Sequence, residues 1–571
     1  MSLSLKMGRR VLFFLALCFV NIQITAQIQV WVTTGNRSEL LDRWDDWHFD
    51  NEATHDLKIY VNENHLYQEM EGFGASLTDA SAWLLANVLS DSQRDTVMRS
   101  LFSREEGIGV SFLRQPIGAS DFSLFHYSYN DLPPGQTDVN MEHFSIEHDR
   151  EYIIPLLQWA KSLNPSLKIL GTPWSPPGWM KTSGNMVGGS LLPQFYQAHA
   201  NYLTAFVGAY KAEGLPISYI TVQNEPGIIP EDYPGMRMTA AEQTIIVRDF
   251  LGPTLRNAHP ETGILAWDHN WEMADYPIEV MQDPKAREYV AGSAFHCYEG
   301  LPEEQAITFK AYPEKPIFFT ECSSGDWANN FADNLVWDTS YLEIRAVRNW
   351  ARSLTKWNLV LDENFGPHTG GCPNCEGMVT VEQATGNYTF NHDYYALGHL
   401  SQFVVGGAHR IASTHLPERN LESVAFKNPN GSKVLLVLNS NRRSQSFDVF
   451  FGNQSFDFTL RGRSVVTFIW QGAQVADKAP ATPVNLKVER TIRGHNFLEW
   501  DFEPDAKAYK VYRATRPGGE AQLAAEVTVP FYVDDQLRKG TRFFYRVEAV
   551  NTKGNSALSV EVRTEDNIRR N

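Results

Sequence analysis

Eight predicted strands, separated by helical stretches, constrain this chain of 571 residues more than any other feature. The fourth, residues 219–224, has the alternating apolar residues typical of a buried strand in a parallel sheet. Helices are predicted between them, for example over residues 151–163 and 342–354. Eight such repeats predict an α/β fold, a closed (β/α)8 barrel. The predicted strands are residues 71–74, 110–114, 167–171, 219–224, 263–268, 292–296, 317–321 and 357–361.

Two of the predicted strands end on a glutamate. The fourth leads into Asn224 and Glu225 before Pro226 breaks it, and the seventh ends at Glu321. The carboxyl ends of barrel strands converge at the mouth, so we expect the two glutamates to face each other. Such a pair supplies the proton donor and the nucleophile of glycoside hydrolysis. Taken singly, each glutamate is better explained as a helix cap or a loop carboxylate, and it is the pair that favours catalysis.

Strand patterns also flank the barrel, which we assign to residues 67–400. Residues 27–66 contain short alternating runs that need a partner sheet, and residues 401–472 supply similar runs far along the chain. We therefore predict one β-sandwich built from both flanks, which would bring the two ends of the barrel together. Its clearest strands are residues 28–32, 57–61, 423–426, 433–439 and 464–469.

The C-terminal part has a different composition. Residues 473–483 include a Pro-rich stretch and are predicted to be a linker. Residues 484–566 contain short strands, with Trp500 early and Tyr545 late, and resemble an all-β fibronectin type III sandwich. The region carries no strong site motif, so we interpret it as a spacer or adhesion module.

The N-terminal segment 1–26 is typical of a secretory signal. It has a basic start at Lys6, Arg9 and Arg10 and an apolar centre too short to span a bilayer. No other segment reaches membrane length. The sequence thus predicts a secreted, periplasmic or extracellular protein without a transmembrane anchor.

The charge pattern argues against several classes of partner and cofactor. A formal net charge of −17 disfavours nucleic acid and anionic lipid headgroups. The sequence contains no Gly-rich phosphate loop and no His pair with metal-ligand spacing, so we predict no cofactor and no metal. It does not indicate an oligomeric state.

Four cysteines remain after the signal segment, too few for disulfides to determine the fold. Cys372 and Cys375 form a C-x-x-C motif that fits a redox pair, half a zinc site or a local disulfide. Their Gly- and Pro-rich surroundings, without a second such motif, favour a structural staple of the loop.

Three further motifs carry a family resemblance. Residues 68–80, 114–123 and 171–181, in order with the two glutamate motifs, resemble the family 30 glycoside hydrolases, the glucosylceramidase family. The resemblance extends over roughly residues 60–470 and implies a (β/α)8 barrel with an attached β-sandwich. It implies a retaining β-glycosidase in which Glu225 is the general acid/base and Glu321 the nucleophile.

The resemblance also implies several substrate-binding residues. Asn224 matches the ligand of the sugar 2-hydroxyl, and Asp121, Trp174 and Trp357 match residues that hold the sugar in the innermost subsite. Core packing is the alternative role for each tryptophan. Trp179 fits a position in the cleft or a brace of its own loop equally well.

Polar residues at other strand ends are further candidates. Tyr298 follows the sixth strand and can hydrogen-bond the nucleophile, while His296 is a supporting residue or a satisfied buried histidine. Asp268, His269 and Asn270 after the fifth strand line the cleft, or Asp268 caps the next helix. Arg114 keeps the nucleophile ionised, or is the buried ion-pair partner of a barrel carboxylate.

The substrate class follows less directly, because loops and not the fold decide it. Cys322 and residues 365–372 resemble secreted microbial members more than animal lysosomal ones. We expect a carbohydrate substrate, either a glucosylceramide-like β-glucoside or β-1,6-linked glucan. The rival hypotheses are a non-catalytic carbohydrate-binding or adhesion protein, and the same mechanism acting on xylan or fucosides. Intact Glu225 and Glu321 argue against the non-catalytic hypothesis.

Overall fold

The structure is a computed structural model that describes residues 27–537 and 542–564. The predicted signal segment, residues 1–26, lies outside the described residues. No helix in the described ranges combines the length and the apolar character needed to cross a membrane.

Eight parallel strands form the barrel, as predicted. The sheet closes where the amide of Arg352, just before the eighth strand, donates to the carbonyl of Ile317 in the seventh (2.8 Å). The fourth strand ends earlier than predicted, so Asn224 and Glu225 lie in the segment after it. The strands are Gly72–Ser76, Phe112–Pro116, Lys168–Thr172, Tyr219–Thr221, Gly263–Asn270, Val290–His296, Ile317–Glu321 and Ser353–Asn358.

The prediction for the eighth strand was wrong by about four residues. The strand is Ser353–Asn358 and not residues 357–361, and the helical segment before it ends near residue 346 and not 354. A turn with Trp350 at φ 82° separates the two. The strand buries polar side chains, including Lys356, which breaks the apolar pattern on which the prediction rested.

Helices surround the barrel and connect its strands. Two of them continue as π-helical turns, Ile246–Leu251 and Thr339–Ala346. The α-helices are Asp79–Asn87, Asp91–Phe102, Glu147–Glu151, Ile153–Leu163, Tyr196–Ala212, Ala240–Ile245, Gly252–Ala258, Asp275–Gln282, Pro284–Tyr289, Gln305–Ala311, Phe331–Asp338 and His392–Ser401.

The inside of the barrel changes from apolar to polar along the strands. Phe112, Leu170 and Phe318 belong to a buried apolar layer. Because alternate residues of a strand share a face, the side chains two positions further on point to the same interior. One of these is Arg114, whose Nε donates to Thr172 Oγ1 (3.3 Å). The barrel therefore has an apolar floor and a polar layer toward its carboxyl end.

Both flanks of the barrel form one nine-stranded sheet that encloses its own apolar core, which confirms the predicted β-sandwich. Gln27–Thr34 pairs antiparallel with Ser464–Trp470, and Leu57–Glu69 pairs with both His409–Ser413 and Gln445–Phe451. The remaining strands are Leu40–His48, Leu421–Lys427, Lys433–Asn439 and Gln454–Leu460.

The C-terminal region is an all-β module of two small sheets around Trp500, Tyr509 and Tyr545. It packs on the rest of the chain: Phe531 contacts Trp350 edge-to-face, with ring centroids 5.0 Å apart. Buried Asn62 of the sandwich donates to the carbonyl of Ala506 (2.7 Å). Its strands are Lys487–Arg490, Asn496–Glu499, Ala508–Ala514, Gln522–Val527, Phe531–Asp534, Phe544–Asn551, Gly554–Asn555 and Val562–Arg563.

Two small sheets brace the loops after the seventh and eighth barrel strands. Ser324–Gly325, which follows Glu321 closely, pairs antiparallel with Cys375–Glu376. Val360–Asp362, Val379–Val381 and Tyr388–Phe390 form a three-stranded sheet beside them. The segment after Glu321 is therefore fixed by backbone pairing.

Candidate active site

The predicted polar residues meet at the carboxyl end of the barrel. Arg114 comes from the second strand, Asp268 from the fifth, His296 from the end of the sixth and Glu321 from the end of the seventh. Glu225 follows the fourth strand. Strands that are distant in sequence thus place these groups in one cluster.

Arg114 is the centre of this cluster and is fully buried. Its guanidinium forms ion pairs with Glu321 and with Asp268 (2.9 Å to Oδ2). It also donates to Asn224 Oδ1 (2.6 Å), so the NH2 group of Asn224 is the part of its amide that Arg114 does not occupy. The prediction that Arg114 pairs with barrel carboxylates is confirmed.

Glu321 has two donors, one for each oxygen. Arg114 pairs with Oε2, and the Tyr298 hydroxyl donates to Oε1 (2.8 Å). The contact predicted for Tyr298 is therefore present. Burial raises the pKa of Glu321 above its usual value, although His296 and Arg114 oppose this shift.

A chain of hydrogen bonds runs from Glu225 through His296 to Asp268. His296 Nδ1 lies 3.2 Å from Glu225 Oε1, and Nε2 lies 3.0 Å from Asp268 Oδ1. Asp268 also accepts from the hydroxyl of Thr320 (2.7 Å). Asp268 therefore orients the imidazole and does not cap a helix.

The pKa directions of Glu225 and His296 favour an ion pair between the two side chains. Burial lowers the pKa of His296, but the carboxylates of Glu321, Asp268 and Glu225 outweigh burial and raise it to about 9. Burial raises the pKa of Glu225, but the hydrogen bond from His296 and the nearby charges of His269, His296 and Arg114 together leave it below its usual value. Both shifts favour a protonated imidazole beside an ionised Glu225.

The backbone around this chain is held in an uncommon conformation. Glu225 (φ 45°), Trp267 (φ 74°) and Asp268 (φ 81°) all lie in the left-handed region, although none is glycine. The amide of Glu225 donates to the carbonyl of Asp268 (3.0 Å), which links the two segments directly. Non-glycine residues keep such a conformation only where their surroundings fix it.

The predicted aromatic residues take different places. Trp174 and Trp357 are buried and stack on each other with centroids 4.9 Å apart. The Arg114 guanidinium lies 4.7 Å from the centre of the Trp174 ring. One face of each ring is therefore covered by the other tryptophan. Trp179 is half-buried and donates to the carbonyl of Asn130 (3.0 Å), so it braces its loop.

Asp121 lies beside the two glutamates, and its Oδ1 is buried without a hydrogen-bond partner among the described residues. Burial and the nearby charges of Glu321 and Glu225 raise the pKa of Asp121 well above its usual value. The loop after the eighth strand packs on it: the amide of Thr369 donates to the Asp121 carbonyl (2.7 Å). An added Cβ at Gly371 would lie 2.8 Å from Asp121 Cβ.

The two residues that follow Asp268 also lie at the site. His269 Nε2 lies 3.6 Å from Glu225 Oε1, and Asn270 Oδ1 accepts from the Tyr298 amide (3.1 Å). Sequence reasoning missed a disulfide between Cys297 and Cys322, which joins the ends of the sixth and seventh strands. The predicted local disulfide between Cys372 and Cys375 is also present.

Two clusters bring three possible metal ligands within 4.8 Å of one another: Glu225, His296 and Glu321 at the mouth, and Asp338, His392 and Asp393 behind the eighth strand. In each cluster a buried cationic side chain already pairs with a carboxylate, Arg114 in the first and Lys356 in the second. This charge balance gives no reason to place a metal ion at either position.

Comparison with known proteins agrees with this geometry. Residues 70–404 match the glycosyl hydrolase family 30 TIM-barrel domain, and residues 407–468 match the family 30 beta sandwich domain. The chain is 33% identical over 427 residues to the endo-1,6-beta-D-glucanase of Neurospora crassa, covering 71% of this chain and 83% of that protein.

Two further relatives show the range of the similarity. The lysosomal acid glucosylceramidase of Mus musculus is 31% identical over 441 residues, covering 73% of this chain and 84% of that protein. The solved structure of an endo-beta1,6-glucanase shares 32% identity with a TM-score of 0.73, covering 78% of this chain and all of that chain. From the barrel, the sandwich and these similarities together, the chain belongs to glycosyl hydrolase family 30 and is a glycoside hydrolase.

Proposed function

We propose that the protein is a retaining β-glycoside hydrolase with Glu321 as nucleophile and Glu225 as general acid/base. One observation supports this most: a carboxylate oxygen of Glu225 and one of Glu321 lie within 4.8 Å of each other. Retaining enzymes hold their carboxyl groups about 5–5.5 Å apart, whereas inverting enzymes need about 6.5–9.5 Å to seat a water.

In the first step Glu321 attacks the anomeric carbon as the bond to the leaving oxygen breaks. Arg114 and Tyr298 hold the attacking carboxylate in one orientation. Glu225 donates a proton to the leaving oxygen, drawing on the proton that it shares with His296. The product of this step is a covalent glycosyl-enzyme.

In the second step the same groups act in reverse. Glu225 removes a proton from water, the water oxygen bonds to the anomeric carbon, and the bond to Glu321 breaks. Asn224 is held through its Oδ1 by Arg114, so its amide NH2 group can donate to the sugar 2-hydroxyl, a contact that strengthens in the transition state. Asp121, with its unpartnered Oδ1, is placed to bind hydroxyls of the same sugar.

For the substrate we propose β-1,6-linked glucan. The similarities to two endo-1,6-β-glucanases, at 33% and 32% identity, support this choice. The test compares initial rates on β-1,6-, β-1,3- and β-1,4-linked glucans, aryl β-glucosides, xylan and glucosylceramide, with analysis of the products. A preference for β-1,6 linkages of at least tenfold supports the proposal, and activity confined to another linkage contradicts it.

Glucosylceramide is the second candidate, and a surface feature favours it. Many of the exposed large apolar side chains lie on loops that leave the carboxyl ends of barrel strands, where a lipid tail would sit. They are Leu124, Phe125, Ile228, Ile229, Met273, Tyr298, Leu301 and Trp327. The same substrate panel, repeated with short-chain glucosylceramide in detergent, separates this candidate from the first.

We also propose that the protein is exported. Two disulfides among the described cysteines support an oxidising compartment. The N-terminal sequence of protein recovered outside the cytoplasm should begin at Gln27. Full-length protein retained in the cytoplasm would contradict this proposal.

The His296–Glu225 proton predicts a pH effect. The rate should fall as pH rises through the His296 pKa of about 9, because the shared proton is then lost. In His296→Gln the carboxyl of Glu225 holds this proton alone, so the basic limb of kcat/KM should move down by about one pH unit or more. His55→Gln, which removes a histidine paired with Asp448 in the sandwich, is the control. An unchanged basic limb in His296→Gln would refute the shared proton.

Removing the Cys372–Cys375 disulfide should affect loop stability and not chemistry. The double Ala variant should keep kcat within about twofold at low temperature and lose activity on heating sooner than wild type, because only the loop loses its crosslink. Thermal inactivation and kcat are measured on the same preparations. A loss of kcat comparable to that of Glu321→Gln, or stoichiometric metal in the purified protein, would contradict a purely structural role for this disulfide.

Removing residues 480–571 should leave turnover of a small aryl β-glucoside intact. Phe531 of the C-terminal module packs near Trp350, before the start of the eighth strand and so at the barrel end opposite Glu321. Truncation exposes Trp350, so we expect a lower melting temperature with an unchanged kcat at low temperature. A truncated protein that is folded by circular dichroism and inactive would show that the module belongs to the catalytic unit.

A further inference from the structure

The disulfide between Cys297 and Cys322 lies between groups of the proposed mechanism. Cys297 stands between His296 and Tyr298 in sequence, and Cys322 directly follows Glu321. The two α-carbons are 5.4 Å apart, and the two cysteines are separated by 25 positions in sequence. The bond therefore joins the two segments that carry the nucleophile and its hydroxyl donor.

The disulfide connects the sixth and seventh strands directly after their backbone pairing ends. The last pair of the ladder between the sixth and seventh strands is His296 with Glu321, and the register is irregular between Phe319 and Glu321. The next residue on each strand is the disulfide cysteine. Cys322 is fully buried, and its carbonyl accepts from the amide of Trp357 in the eighth strand (2.9 Å). The disulfide and this hydrogen bond together connect the sixth, seventh and eighth strands at the rim of the barrel.

Tyr298 is the residue that most needs this support. It is 42% exposed, so packing alone does not fix its ring. Its hydroxyl donates to Glu321 Oε1 (2.8 Å), and its amide donates to Asn270 Oδ1 (3.1 Å). Holding an exposed side chain in one orientation costs conformational entropy. A rigid backbone beside the side chain lowers this cost, because fewer orientations are accessible before the contact forms.

We propose that the Cys297–Cys322 disulfide is a positioning element of the catalytic site, which acts through Tyr298 on Glu321. This inference rests on the proposed role of Glu321. Without the bond the Tyr298 hydroxyl is no longer held against the carboxylate in its attacking orientation. Misplacement of a reacting group by about 1 Å lowers rates by up to about 100-fold.

The test is a double-mutant cycle. Cys297→Ala with Cys322→Ala is made in the wild-type and in the Tyr298→Phe background, and Cys372→Ala with Cys375→Ala is the matched control. In the wild-type background we expect kcat on an aryl β-glucoside to fall about 10- to 100-fold, with KM nearly unchanged. The acid limb of the pH profile should move to higher pH, because Glu321 loses a donor to its ionised form.

In the Tyr298→Phe background the same disulfide removal should change kcat less than about twofold, since the tyrosine hydroxyl is already gone. Equal losses in both backgrounds, or a kcat equal to that of the control, would overturn the proposal. If the variant does not fold, the cycle is run on native protein treated with a phosphine reductant, with free thiols counted by mass spectrometry. Activity retained by Glu321→Gln would refute the proposed function instead, independently of this cycle.

Discussion

Glu321→Gln should lose nearly all activity on every substrate. The amide cannot form the covalent glycosyl-enzyme, so no leaving group, however good, rescues the first step. We expect kcat/KM to fall by about four orders of magnitude or more, which corresponds to about 5.5 kcal/mol of transition-state stabilisation. The measurement is the initial rate on aryl β-glucosides whose leaving groups span a wide pKa range.

A buried glutamate outside the site provides the control. Burial and the nearby carboxylate of Asp338 raise the pKa of Glu343 to about 8, so it is already largely neutral at working pH. Glu343→Gln should therefore leave kcat almost unchanged. Comparable losses of kcat in both variants would mean that the effect arises from folding. An active Glu321→Gln enzyme would contradict the assignment of Glu321 as nucleophile.

Glu225→Gln should produce a loss that depends on the leaving group. General acid catalysis typically contributes about 10²- to 10⁴-fold, and a stable anion such as dinitrophenolate does not need it. We therefore expect a steep loss on poor leaving groups and appreciable first-step activity on dinitrophenyl β-glucoside. The glycosyl-enzyme should then accumulate, because no base is left to activate water.

Azide tests the second step of the same variant. As an anion it needs no general base, so it should restore turnover of Glu225→Gln and yield a β-glucosyl azide. Wild-type enzyme under the same conditions should show little acceleration. Rescue confined to the Glu321 variant, with an α-azide product, would reverse the two assignments.

The order of the barrel strands was predictable because strand and helix patterns alternate along the chain. The eighth failed because Lys356 is buried there, with its charge balanced by Asp338 and Asp393. These partners lie on separate helices, and a local apolar pattern does not reveal them. The β-sandwich was predictable in outline, since strands without a local partner had to pair across the barrel.

The two glutamates and their nearest partners were predictable from strand ends and from the family motifs. The face-to-face stack of Trp174 and Trp357 was not, because it depends on the distance between two strands and on the guanidinium of Arg114. The Cys297–Cys322 bond was missed for a related reason. Spacing in the sequence does not tell which strand ends approach each other, and only the closed barrel brings them together.

The stereochemistry of the first-formed product tests the central claim most directly. Proton NMR of the wild-type reaction, recorded before mutarotation, reports the anomer that the enzyme releases. Double displacement by Glu321 and Glu225, with their carboxylate oxygens within 4.8 Å, predicts the β-anomer from a β-glucoside. Release of the α-anomer would mean a single displacement by water and would contradict the mechanism proposed for this site.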